Sequence, residues 1–108
     1  MQEVQIVATF DSADTASDVS RSLNAWFQWV MDGGEGEIPD FFDDFGISTE
    51  EYALERESDT DWEEQPIAKA RSNHVIIHAY TSETQDLLQE LLESMGAFEV
   101  EVTAEGES

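Results

Sequence analysis

HVIIHAYTSETQDLLQELLESMGAFEVEV, residues 74–102, is the stretch on which the fold turns. Its opening, HVIIHAYT, is rich in β-branched and aromatic residues and holds no glycine or proline, which specifies a strand. Ser82 and Gln85 stand at capping-box spacing, so the serine oxygen can take a free backbone amide while the glutamine reaches back to the serine's own amide. Leu87, Leu88, Leu91, Leu92 and Met95 then recur every three or four residues, the apolar stripe of a helix. Gly96 closes that helix, because a residue without Cβ takes the left-handed conformation of a C-terminal cap at no steric cost. Phe98, Val100 and Val102 alternate with Glu99, Glu101 and Thr103, so the chain leaves as a strand with one apolar face.

The N-terminus follows the same grammar. Val4, Ile6, Ala8 and Phe10 alternate with Gln5, Val7 and Thr9, a period of two that predicts a first strand. Asp11 or Ser12 offers a side-chain oxygen as helix cap, and Ala16, Val19, Leu23, Trp26 or Phe27, and Val30 follow at helical spacing. Gly33 and Gly34 end that helix.

Two such halves around a variable middle predict an α+β domain of the split β-α-β-β-α-β, ferredoxin-like kind: an antiparallel sheet with two helices on one face. The middle must then supply one strand. Trp62 to Arg71 is the first choice, since Ser72 and Asn73 form a turn back into the strand that begins at His74. Pro66 removes a ladder donor and sends that strand to an edge or a bulge. Residues 51–57, EYALERE, are the alternative strand, or else continue a short helix begun after Ser48 or Thr49. The length implies one domain over residues 1–104 with a fraying tail at 105–108. Within it, residues 32–61 form an acidic insert between the first helix and the second strand, longer than ordinary connections. Phe41, Phe42 and Phe45 fall at helical spacings in it, which predicts a short helix covering one end of the core or docking on a partner.

Charge restricts the partners. There are 26 acidic residues against four basic ones, a formal net charge of −22, which opposes binding to nucleic-acid backbones and anionic membranes. Acids are spread over every third of the chain and lysine is nearly absent, Lys69 being the single one. General adaptation to high salt, where screening relieves self-repulsion, fits that spread better than a nucleic-acid mimic directed at a basic DNA-binding protein, which needs only one acidic face. The absence of cysteine excludes a disulfide scaffold and thiolate chemistry. The N-terminus has no signal-peptide pattern and no stretch is long and apolar enough to span a bilayer, so a cytoplasmic location is expected.

Catalytic signatures are absent from this sequence, and no cofactor or metal is expected. His74 and His78 share one strand face, but four residues of strand put them about 13 Å apart, too far to hold one ion together. With Val75, Ile77 and Ala79 turned to the helices, Val7, His74, Ile76, His78 and Tyr80 line the opposite, open face. Apolar side chains there predict a homodimer or protein-partner surface, with a small-ligand site using His78 and Tyr80 as the alternative. Stacking of single-stranded RNA on this face is disfavoured, since Glu99 and Glu101 adjoin it and no basic patch meets phosphate. Asp59, Asp61 and Glu63 imitate the start of a calcium loop, but Glu64 stands where glycine is required and Ala70 where the bidentate glutamate belongs. An acidic docking segment comprising Phe41, Phe42, Asp43, Asp44, Phe45, Asp59, Asp61 and Trp62 is the second candidate surface.

Overall fold

The computed structural model describes residues 3–34, 36–53, 65–80 and 85–104. Along these the chain forms β1 (Glu3–Thr9), α1 (Ala13–Met31), α2 (Phe41–Asp44), a 3-10 turn (Glu50–Tyr52), β2 (Ile67–Arg71), β3 (His74–Tyr80), α3 (Gln85–Ser94) and β4 (Glu99–Ala104). This is an α+β architecture. The four strands make one sheet in the order β2-β3-β1-β4, with every neighbouring pair antiparallel.

The strands β1 and β3 lie at the centre because each can bury one face completely. Val4, Ile6 and Ala8 stand opposite Ala79, Ile77 and Val75, and all six are at most 1% exposed. The helices pack on that side, α1 over β2 and β3, α3 over β4 and β1. Helix α1 contributes Ala16, Val19, Leu23, Trp26, Phe27 and Val30, and α3 contributes Leu88, Leu91 and Leu92. Trp26 and Phe27 are both fully buried, so the apolar stripe of α1 is wider than a choice between them implies.

Helix ends follow local chemistry. Ser12 caps α1 by accepting the Thr15 amide at 3.2 Å. At the other end Gly33, at φ 104°, donates to the Val30 carbonyl, and Gly34 donates to that of Trp29. Gly96, at φ 109°, repeats the arrangement after α3. Ser82, the proposed capping partner of Gln85, lies outside the described residues, as does the tail at 105–108.

The second strand is shorter than expected. It runs from Ile67 to Arg71, and Pro66, itself buried, precedes it, so no ladder donor is lost to proline. Trp62 to Glu64 lie outside the described residues. In the alternative stretch the helical option holds over the described part: Glu50–Tyr52 is a short 3-10 helix begun after Thr49, not a strand, and residues 54–57 lie outside the described residues. The β2–β3 reversal holds Ser72 at φ 57°, and the adjoining Asn73 exchanges two hydrogen bonds with Phe10: the Phe10 amide to the Asn73 carbonyl (2.8 Å) and the Asn73 side-chain amide to the Phe10 carbonyl (3.0 Å).

Two side chains of α1 brace it against the rest of the chain. Asn24 accepts the Ala68 amide at 2.8 Å and donates to the Ala68 carbonyl at 2.9 Å, taking the part of a backbone neighbour along the outer side of β2. The Trp26 indole donates to the Tyr52 carbonyl at 2.9 Å within the core. Around it Trp26 meets Phe42 edge-on at 6.2 Å, and Phe42 stacks on Tyr52 at 5.5 Å. Trp29, by contrast, has its indole nitrogen buried with no acceptor among the described residues.

Asn24→Ala removes the partner of a part-buried amide and carbonyl, and is expected to cost about 1–3 kcal/mol of stability in denaturant unfolding. Trp26→Phe keeps most of the ring but loses the indole donor. A similar loss of about 1–3 kcal/mol is expected, and an unchanged unfolding midpoint would show that the Tyr52 contact contributes nothing.

Candidate functional site

The antiparallel register turns the open side of the sheet into a grid, because residues opposite one another across a ladder share a face. One row reads Arg71, His74, Thr9, Glu99 from β2 to β4. The next reads Lys69, Ile76, Val7, Glu101, and the third Ile67, His78, Gln5, Thr103. Tyr80 stands opposite Glu3 beyond the third row.

Burial separates the centre of this grid from its edges. Val7, His74, Ile76 and His78 are half-buried, while Ile67, Lys69, Arg71, Glu99, Glu101 and Thr103 are exposed. Ile67 is 52% exposed, an apolar side chain turned to solvent at the rim. His78 brings its Nδ1 to 3.6 Å from a Glu3 carboxylate oxygen, too long for a hydrogen bond and a loose ion pair only while the imidazole is protonated. His74 and His78 sit two rows apart, and among the described residues no group of three or more metal-binding side chains converges.

The face can therefore receive a flat surface with an apolar middle and charged margins. Among the described residues no three metal-binding side chains come together on it. Edge strand β2 carries two of the four basic residues of the chain. Of the other two, Arg21 lies on α1 and contacts Asp18 at 3.3 Å on an exposed helix surface, and Arg56 lies outside the described residues.

The second candidate surface has its apolar part turned inward. Phe41 is 7% exposed and Phe42 is fully buried, both in the core, and Phe45 is half-buried beside them. Helix α2 thus lies over one end of the core through its aromatic side chains and presents only Asp43 and Asp44 to solvent. Asp59, Asp61 and Trp62 lie outside the described residues.

The alternation in β4 overstates how much of it is covered. Val102 is 37% exposed and Phe98, just before the strand, is 65% exposed, although both have the parity of the helix-facing side. As the sheet's edge, β4 receives α3 from its inner side only, and α3 is ten residues long. Sequence reasoning also missed Ile67, Lys69 and Arg71 as members of the open face. Placing them needed the β2 register, which a five-residue strand with Ala68 as its one buried member does not announce.

No helix among the described residues is long and apolar enough to cross a membrane. Comparison with protein-family models, with curated proteins and with solved structures finds no match to this chain.

Proposed function

We propose that this chain is a non-catalytic α+β module of ferredoxin-like arrangement from a salt-adapted cytoplasm, acting through homo-oligomeric or protein-partner contacts on its open sheet face. The topology supports the fold reading: a β-α-β-β-α-β chain that places its strands in the order β2-β3-β1-β4 with antiparallel neighbours fits that arrangement. On this reading residues 1–104 form one domain, and the stretch after α1 is an insertion that lends its aromatic residues to the core.

The observation that carries the functional reading is the pairing of Val7 with Ile76, both half-buried, at the middle of the face turned away from the buried side of the sheet. A sheet with its described helices on one side presents the other to water, to a partner or to the chain's own loop, and apolar residues at its centre favour a contact surface. The mimic alternative gains nothing from this face, where Lys69 and Arg71 break any uniform acidity.

Sedimentation across the micromolar range at high salt is expected to show reversible association. A monomer throughout would overturn the reading. Salt adaptation makes a separate prediction, since a net charge of −22 is relieved only as the Debye length falls from about 10 Å at 0.1 M to about 3 Å at 1 M. The thermal midpoint should rise steadily over that range in sodium or potassium chloride, and a protein indifferent to added salt would remove the environmental account of its acidity.

A further inference from the structure

The open face carries opposite signs at its two margins. Lys69 and Arg71 stand on β2 and Glu99 and Glu101 on β4, all four exposed. Neither Lys69 nor Arg71 has an ion-pair partner among the described residues, although acids outnumber bases by 26 to four in the chain. Within one molecule the two margins do not pair with each other, three interstrand spacings of about 4.8 Å setting them about 14 Å apart.

We infer that the occupant of this face is a second copy of the chain, related by a two-fold axis that runs along the strands between β3 and β1. This deepens, and rests on, the reading of the face as a contact surface. Such an axis lays β2 of one protomer over β4 of its partner, row upon row. Lys69 then meets the partner's Glu101, Arg71 meets the partner's Glu99, and Val7 and Ile76 meet the partner's Ile76 and Val7. Symmetry makes each contact occur twice.

The other face-to-face axis, running across the strands, sets β2 on β2 and β4 on β4. It opposes base to base and acid to acid, an arrangement that like-charge repulsion disfavours. The chosen axis leaves the sheets aligned, as twisted sheets pack, about 10 Å apart with strands crossing at about 30°. Marginal ion pairs in partial contact with water fix orientation more than they add affinity, and the apolar middle row supplies the attraction.

The chain has no cysteine, so introduced thiols report unambiguously. Lys69→Cys and Glu101→Cys are prepared separately, then treated alone and as an equimolar mixture with a thiol-bridging reagent of about 10 Å reach, the distance between packed sheets. The mixture is expected to yield a covalent dimer containing one of each variant, and each variant alone to stay monomeric on a denaturing gel. Self-bridging of either variant alone overturns the axis while leaving self-association intact. Unmodified protein that sediments as a monomer overturns the contact-surface reading itself. A sedimenting dimer that bridges in no arm shows that association uses another surface.

Charge reversal gives an independent check. Glu99→Lys with Glu101→Lys lifts the net charge from −22 to −18, since each change adds two positive charges, and so eases overall repulsion. It should nevertheless weaken self-association by about tenfold, with recovery on mixing with Lys69→Glu/Arg71→Glu. Tighter self-association of the Glu→Lys variant alone would overturn the pairing.

Discussion

The hydrogen bond from the Trp26 indole to the Tyr52 carbonyl is the constraint around which the rest of the chain is arranged. A core of this size has to be closed at the ends of its helices as well as between helix and sheet. The closing piece here is drawn from the stretch after α1, whose backbone would otherwise bring polar groups to an apolar surface. The indole resolves that conflict by supplying a donor inside the core, while its ring gives Phe42 and Tyr52 something to pack on. Asn24 lies two residues earlier, on the opposite flank of the same apolar stripe, at about 100° of rotation per residue. Helix α1 is thus held at the β2 edge on one flank and at the aromatic cluster on the other.

Much of this was legible in the sequence because it is local. Period two in Val4 to Phe10, helical spacing through α1 and α3, and glycines at the helix ends each record a neighbour a few residues away. β2 was legible only through the turn after it. Its one buried residue is Ala68, and its most apolar residue, Ile67, faces outward, so no alternation marks it. The Asn24 bracket joins positions 44 residues apart, and a single polar residue at the margin of a helical stripe gives no hint of what it will meet. The same distance in sequence concealed half of the open face. Val7, His74, Ile76 and His78 could be placed from their own strands, whereas Lys69 and Arg71 needed the pairing of β2 with β3.

In so acidic a chain, the position of the bases says more than that of the acids. Carboxylates lie in every third of the sequence. Two of the four bases share one short strand and one face, at alternate positions, opposite an edge that presents carboxylates. General acidity accounts for the missing lysines elsewhere but not for the two bases that persist here.

Asn24 also has a bearing on what the sheet can grow into. A strand edge with free amides and carbonyls is a template for another chain, and a molecule with two such edges can add copies head to tail without end. By occupying both backbone groups of Ala68, Asn24 blocks the middle of β2 as an edge for pairing. One asparagine on a helix therefore removes from β2 part of the template that head-to-tail strand addition needs.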